Sequence, residues 1–143
     1  MSMKEESKQA QNTLKVVLDS NALFIPLQFK IDIFEELEKL LKVKFEAVIL
    51  SPIRKELEKF AKKGSPKMRK NAAYALKLAE KCTLIEAEQE TGVSTDDVIA
   101  EFALKRGLPV FTNDKRLRKR LRNINVPVIY VRQKSQLAID GRI

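Results

Sequence analysis

Four acidic residues stand where active-site carboxylates are expected in a chain that alternates strands with helices. Asp19 follows the apolar run Leu14–Leu18, and Asp114 follows the run V-F-T-N. Glu56 and Asp96 fall in the first turns of two predicted helices. The carboxyl ends of parallel strands share one edge of a sheet, and ligands bind beyond that edge, so we expect the four side chains to converge there. Taken singly, each acid also has a simpler explanation as a cap or a solvated edge residue.

The chemistry open to such a cluster follows from what the chain lacks. The sequence contains no histidine and one cysteine, which excludes Ser-His-Asp triads, imidazole ligands and multi-cysteine zinc sites. Clustered carboxylates repel one another unless a cation neutralises them. With only oxygen ligands at hand, the expected cation is Mg²⁺ or Mn²⁺. The net charge of +9 favours a phosphodiester substrate, whose flanking backbone the basic surface would hold.

Helical phase ranks the acids within the two helices that carry them. At about 100° per residue, Glu56 lies at the edge of the apolar face of its helix, whereas Glu58 points away from that face. In the stretch S-T-D-D-V-I-A-E-F-A, Asp96 lies at the edge of the apolar face. Asp97 lies nearly opposite that face and forms a capping box with Ser94. Asp96 is therefore the preferred site residue, and Asp97 is the alternative.

Five short apolar runs alternate with amphipathic segments, a pattern that predicts a parallel sheet with helices on both faces. The predicted strands are Leu14–Leu18, Ala47–Leu50, Thr83–Ala87, Pro109–Thr112 and Pro127–Val131. The predicted helices are Ile31–Leu41, Ser51–Lys62 with Ser51 as its N-cap, Lys67–Glu80, Ser94–Arg106 and Lys115–Asn123. We expect irregular structure over residues 20–30 and 132–143, a flexible tail over residues 1–13, and a single domain over residues 14–143.

The composition is that of a globular protein without membrane-spanning or secretory segments. The chain has 143 residues, of which 44% are hydrophobic and 33% are charged. No apolar run approaches the ~20 residues that cross a bilayer, and the first residues lack the apolar centre of a signal peptide. A cytoplasmic location is therefore expected. Cys82 is expected to be a buried structural thiol.

Two basic stretches are candidates to hold a nucleic-acid backbone beside the acids. The first, K-R-L-R-K-R-L-R, begins directly after Asp114, and its two leucines are spaced to face the core. The second, K-K-G-S-P-K-M-R-K, covers residues 62–70. A solvated helix face is the competing interpretation of such stretches. We predict RNA contacts at Lys115, Arg116, Arg118, Lys119, Lys62, Lys63, Lys67 and Arg69.

Four pieces of the sequence, taken in order, resemble the motifs of the PIN-domain nucleases. They are L-D-S-N at 18–21, S-P-I-R-K-E-L at 51–57, T-D-D-V-I-A-E-F-A at 95–103 and V-F-T-N-D at 110–114. The resemblance implies a three-layer α/β/α PIN-like fold with a mostly parallel sheet of about five strands. It also implies a metal-dependent ribonuclease that leaves 5′-phosphate and 3′-hydroxyl products.

The residues that match these motifs take the roles that the resemblance implies. The catalytic groups and ligands of Mg²⁺ or Mn²⁺ would be Asp19, Glu56, Asp96 and Asp114. Asp19 would be central, and Glu56 would either bind the metal or orient water. Supporting positions would be Asn21, Thr112, Asn113 and Asp97. The first and last motifs look most like those of archaeal proteins similar to the PIN nuclease of the eukaryotic small-subunit processome, which implies processing of ribosomal precursor RNA.

Two other functions fit the same motifs. One is a toxin ribonuclease paired with an antitoxin, and the other is a non-catalytic RNA-binding scaffold with a PIN fold. Because PIN proteins are often dimeric, a homodimer is also expected. A receiver domain fits poorly, as does a haloacid-dehalogenase-type phosphatase, since the latter requires an aspartate where Asn21 stands.

Overall fold

In the computed structural model, which describes residues 13–143, six strands alternate with six helices. The strands are β1 (Leu14–Leu18), β2 (Phe45–Leu50), β3 (Thr83–Ile85), β4 (Val110–Phe111), β5 (Val128–Arg132) and β6 (Gln136–Asp140). The helices are α1 (Ser20–Phe29), α2 (Ile33–Leu41), α3 (Ser51–Lys63), α4 (Pro66–Ala79), α5 (Thr95–Arg106) and α6 (Lys115–Asn123). The tail predicted over residues 1–13 lies, apart from Thr13, outside the described residues.

The strands pair in the order β3-β2-β1-β4-β5-β6. Neighbours from β3 through β5 are parallel, and β6 runs antiparallel to β5. The chain builds outward from β1 through β2 and β3, and then returns to the other side of β1 with β4. The strand order therefore reverses between β1 and β4, which is where open α/β sheets bind their ligands. The predicted α/β fold is confirmed, with six strands in the described chain where about five were expected.

The two strands beside this reversal are buried along their apolar residues. Val16, Val17 and Leu18 of β1 have no exposed surface, and neither do Val110 and Phe111 of β4. Parallel strands covered by helices on both faces are apolar without alternation, which explains why short continuous apolar runs predicted them. Between residues 13 and 143, every helix is too short or too polar to span a membrane.

The first prediction that the structure corrects is the loop over residues 20–30. This segment forms α1, with Asp19 as its N-cap and Ala22, Leu23 and Ile25 buried. Pro26 lies inside the helix, where it removes one backbone hydrogen bond. Burial of the apolar side chains outweighs that loss, because tertiary packing supplies most of the stability of a short helix.

The irregular tail predicted over residues 132–143 is also wrong, because residues 136–140 form β6. A turn joins β5 to β6, and in it Gln133 and Lys134 have φ angles of 55° and 60°. Such left-handed angles are usually signalled by glycine or asparagine, which are absent from this turn. Leu137 of β6 is buried against the core.

The remaining predicted elements are present, with ends within two residues of those expected. The predicted cap of α3 is wrong, because the helix begins at Ser51 itself and Leu50 is its N-cap. The Ser51 hydroxyl is used elsewhere: it accepts the Ala87 N–H at 3.0 Å and lies 3.2 Å from the Ala87 carbonyl, to which it donates. Burial raises the pKa of the half-buried Cys82 thiol to about 11, so the group is protonated near neutral pH.

Candidate active site

Thr112 connects the ends of β1 and β4 across the crevice between them. Its side chain is fully buried, and its hydroxyl donates to Asp19 Oδ2 at 2.8 Å. The Thr112 hydroxyl oxygen also accepts the backbone N–H of Asp114 at 3.1 Å. One hydroxyl therefore holds the carboxylate at the end of β1 and the backbone that follows β4.

Asp19 is buried, with 6% of its surface exposed. Its second oxygen, Oδ1, accepts the Ser20 N–H at 2.8 Å, so both oxygens have protein donors. The pKa of Asp19 is raised to about 6, chiefly by burial; hydrogen bonds from Thr112 and Ser20 oppose this rise, and repulsion from Asp96 and Asp114 adds to it. The three aspartates therefore lie within electrostatic reach of one another.

Asp96 and Asp97 are adjacent in α5 but have different environments. Burial raises the pKa of Asp96, Asp114 adds repulsion, and the positive charge of Arg120 opposes both. Asp97 forms the predicted capping box: its Oδ2 accepts the Ser94 N–H at 3.1 Å, and Ser94 Oγ accepts the Asp97 N–H at 3.1 Å. Its Oδ1 lies 2.6 Å from Nη2 of Arg120. Hydrogen bonds from the Ser94 backbone and from Arg120 lower the pKa of Asp97.

Asp114 is both a helix cap and a neighbour of the other acids. Its Oδ1 accepts the N–H groups of Arg116 and Leu117 at 2.8 Å and 3.1 Å, which makes it the N-cap of α6. Its charge also acts on Asp19 and Asp96. The capping role and the position beside the other acids are therefore compatible.

Glu56 reaches this region through the start of α5. Its side chain is half-buried on α3, and Oε2 accepts the Thr95 hydroxyl at 3.1 Å. Thr95 immediately precedes Asp96, so this hydrogen bond links α3 to the first turn of α5, which carries Asp96. Glu56 is thus linked through one hydrogen bond to the residue that precedes Asp96.

The side chains of Asn21 and Asn113 accept hydrogen bonds from the backbone near the acids. Asn21 Oδ1 accepts the Asn113 N–H at 2.9 Å and lies 3.3 Å from the Thr112 hydroxyl. Asn113 Oδ1 accepts the Val131 N–H of β5 at 3.1 Å. These amides therefore lock the start of α1 to the end of β4, and β4 to β5.

The predicted basic residues lie in two separate places. Lys115, Arg116 and Lys119 are exposed on α6, next to Asp114. Arg118 is held on the same helix: its Nε donates to Asp140 at 3.1 Å, and its guanidinium lies 3.6 Å from the ring centre of Tyr130. The second stretch comprises Lys62, Lys63, Lys67 and Arg69, all exposed where α3 meets α4. It begins about 10 Å along the helix axis from Glu56, so only an RNA that extends beyond the acids would reach it.

The sequence interpretation missed Arg120, which contacts Asp97 and whose charge acts on Asp96. Its spacing of four residues from Arg116 places both arginines on one side of α6, and that spacing was the available signal. Arg122 was also missed. It donates Nε–H to Asp140 at 3.1 Å and so helps to fasten α6 to β6.

The donor set has the ligand chemistry that a hard divalent cation prefers. It consists of carboxylates alone, and their burial and mutual repulsion carry a cost that a cation would remove. Within residues 13–143, no group of three or more acidic or cysteine side chains is arranged to hold an ion directly. Mg²⁺ usually keeps several waters and binds one or two carboxylates together with substrate phosphates. A loosely gathered acid set is compatible with that mode of binding.

Replacing Thr112 tests whether its hydroxyl holds this region together. Thr112→Val should lower the free energy of unfolding by about 2 kcal/mol, because Asp19 loses a donor and the Asp114 N–H loses its acceptor inside the protein. Thr112→Ser keeps the hydroxyl and removes one methyl group, which costs about 1 kcal/mol. Urea unfolding of the metal-free protein measures both. A serine variant less stable than the valine variant would contradict this role.

Known proteins with similar sequences include two ribonucleases. Ribonuclease VapC4 of Methanocaldococcus jannaschii is 38% identical over 130 residues, which cover 90% of this chain and 98% of the relative. Ribonuclease VapC9 of Archaeoglobus fulgidus is 29% identical over 124 residues, which cover 87% of each chain. The similarity to both relatives therefore runs along nearly the whole chain.

Solved structures with the same fold include the PIN domain endonuclease Utp24, with a TM-score of 0.75, 28% identity, and coverage of 90% of this chain and 92% of that chain. A DNA-bound VapBC from Salmonella typhimurium shares the fold at a TM-score of 0.58 and 23% identity, over 82% of this chain and 98% of that one. The family model described as a PIN like domain matches residues 16–134. That span contains all four predicted motifs, so the resemblance is confirmed and the chain belongs to the PIN-like domain family.

Proposed function

We propose that this protein is a metal-dependent endoribonuclease that cuts RNA at the crevice between β1 and β4. The observation that carries the proposal is that the Thr112 hydroxyl joins Asp19, at the end of β1, to the backbone of Asp114, after β4. Repulsion from Asp96, which raises the pKa of Asp19, supports a place for that residue in the same acid set. The names of both curated relatives describe ribonucleases, and that of the Utp24 structure describes an endonuclease. Hydrolysis of a phosphodiester bond is the reaction that this acid set and this family support together.

In this proposal the three aspartates hold Mg²⁺ or Mn²⁺, and Glu56 either joins them or orients the attacking water. The bound cation supplies Lewis acidity and makes a bound water more acidic. Thr112 keeps Asp19 in one orientation through its 2.8 Å hydrogen bond. Asn21 and Asn113 keep the two strand ends at a fixed spacing, so the carboxylates are oriented before substrate binds.

The proposed substrate is RNA, held by basic residues beside the acids. Lys115, Arg116 and Lys119 are exposed on α6, which starts directly after Asp114. Cations in this position attract a phosphate backbone and keep it beside the carboxylates. The resemblance of the first and last motifs to those of archaeal proteins similar to the PIN nuclease of the small-subunit processome supports ribosomal precursor RNA as the target.

A toxin ribonuclease with an antitoxin partner is the second candidate function. Its support is the 38% identity to ribonuclease VapC4 over nearly the whole length of both chains. The same acid set serves both functions, so they differ in the RNA that is cut and in the partner that is bound.

Cleavage of defined RNAs tests the proposal and separates the two candidates. The purified protein, with Mn²⁺ or Mg²⁺, should cut a ribosomal precursor fragment at discrete positions, leave 5′-phosphate ends and stop when EDTA is added. Discrete cleavage of a transfer or messenger RNA instead, with growth arrest when the protein is expressed alone, would favour the toxin. No cleavage of any of these RNAs with either metal would contradict the enzymatic proposal and favour a binding scaffold.

A further inference from the structure

The charged residues of α6 lie on opposite sides of its buried leucine face. At about 100° per residue, Arg118 and Arg122 lie to one side of that face, while Arg116 and Arg120 lie to the other. Arg118 and Arg122 hold α6 against β6, since each donates Nε–H to a different oxygen of Asp140 at 3.1 Å. The second pair faces the side on which α5 begins, as the contact between Arg120 and Asp97 shows.

Arg120 is held at the rim of the acidic cluster. Its Nη2 lies 2.6 Å from Asp97 Oδ1, and the capping box with Ser94 fixes Asp97 in turn. Asp97 is next to Asp96, so the guanidinium stands beside one of the three mutually repelling aspartates. The side chain of Arg120 is nevertheless 47% exposed, which leaves it accessible from solvent.

A contribution to the stability of the fold is a weak explanation for the ion pair between Arg120 and Asp97. Exposed pairs between arginine and aspartate contribute little to stability, because both groups are well solvated when apart. The contact with Asp97 uses one of the five N–H donors of the guanidinium, and the planar guanidinium group matches the oxygens of a phosphate group. An arginine oriented by a fixed carboxylate, beside acids that would bind a cation, is suited to receive a phosphate anion.

We propose that Arg120 binds a backbone phosphate of the RNA beside the scissile bond, and that Asp97 is a positioning residue that holds the guanidinium at the rim. The inference rests on the proposed function, because it takes RNA as the substrate of this cleft. It gives the two neighbouring aspartates different roles: Asp97 orients the guanidinium of Arg120, and Asp96 belongs to the acid set.

Binding without cleavage tests the inference separately from catalysis. A fluorescently labelled single-stranded RNA is titrated with protein in EDTA over a range of salt concentrations. Arg120→Gln should weaken binding about tenfold at low salt and lower the slope of log affinity against log salt by about 0.7, the loss of one phosphate contact. Arg120→Lys keeps the positive charge but lacks the planar guanidinium group. It should therefore retain the salt dependence of binding and lose part of the affinity for RNA.

The matched control is Lys105→Gln, which also removes one positive charge and one exposed ion pair. Lys105 lies 3.2 Å from Glu101 near the end of α5, about 12 Å along the helix from Asp97. Its variant should bind RNA almost as the wild type does. Equal binding by the Arg120→Gln and Lys105→Gln variants would overturn the inference and leave Arg120 as a link between two helices.

Cleavage kinetics give a second readout and keep the two proposals separable. Arg120→Gln should raise KM with little change in kcat, because the lost contact is made in the ground state and the transition state alike. Thermal unfolding of the variants identifies any loss of RNA affinity that is caused by misfolding. If Arg120→Gln misfolds, Arg120→Lys provides the test in its place. If the wild-type protein binds RNA through Arg120 but cuts none with Mn²⁺ or Mg²⁺, the proposed function fails, the phosphate contact of Arg120 stands, and its place beside a scissile bond is overturned.

Discussion

Asp19→Asn should abolish cleavage, lowering kcat/KM by about 1,000-fold or more, while the protein stays folded. The amide removes the central negative charge of the acid set but fills nearly the same volume. Its carbonyl oxygen can still accept from Thr112, which donates to Asp19 at 2.8 Å. The variant is also relieved of the cost of burying a charge, so its loss of activity would not follow from loss of structure.

A matched control shows that the effect belongs to the site. Asp32 is an exposed carboxylate that caps α2 by accepting the N–H groups of Phe34 and Glu35 at 3.1 Å and 3.2 Å. Asp32→Asn makes the same chemical change and keeps a side chain that caps helices well, so activity should be unchanged. Cleavage by gel assay and folding by circular dichroism measure both variants. Full metal-dependent activity in the Asp19 variant would exclude Asp19 as the central group.

Asp19 should also make the metal-free protein less stable as pH rises from about 4 to about 6. Burial raises the pKa of Asp19 from 3.8 to about 6, so within this range the folded protein keeps a proton that the unfolded chain has released. Stability therefore falls with pH, and the contribution of Asp19 is complete below the lower pKa and lost above the higher one. A shift of this size corresponds to about 3 kcal/mol.

Urea unfolding of the wild-type and Asp19→Asn proteins across this pH range isolates the effect. Other carboxylates titrate in both proteins, and Asp97, whose pKa is lowered, acts in the opposite direction. The difference in stability between the two proteins should therefore shift in favour of the variant by about 3 kcal/mol as pH rises. What the amide loses opposite the Ser20 N–H does not depend on pH, so it offsets the two curves without changing this shift. Saturating Mn²⁺ at neutral pH should stabilise the wild type and have little effect on the variant. Parallel pH curves for the two proteins would contradict this assignment.

Much of the fold followed from local patterns in the sequence. Short apolar runs predicted β1 and β2 because parallel strands between two helical layers are buried without alternation. The spacing of Ser94 and Asp97 predicted the capping box at the start of α5, which the structure confirms. These features depend on neighbours within a few residues, which a single sequence displays.

The missed features depend on contacts between distant segments. The helix α1 forms around Pro26 because its apolar side packs into a core built by other elements. The Ser51 hydroxyl bonds to Ala87 and not to its own helix. The ion pair between Arg120 and Asp97 joins α6 to α5, and its existence depends on how those helices pack. No periodicity in the sequence reports such pairings.

The bond between Thr112 and Asp19 spans 93 residues of chain, and this has a consequence for the newly made protein. During synthesis, Asp19 emerges long before Thr112 and Asp114, which follow it by more than 90 residues. A nascent chain that has not yet released β4 contains one strand-end aspartate without its hydroxyl donor. The contact between the two strand ends therefore forms only after β4 has been made, so under the proposed function a shorter nascent chain should be unable to cut the RNA that surrounds it on the ribosome.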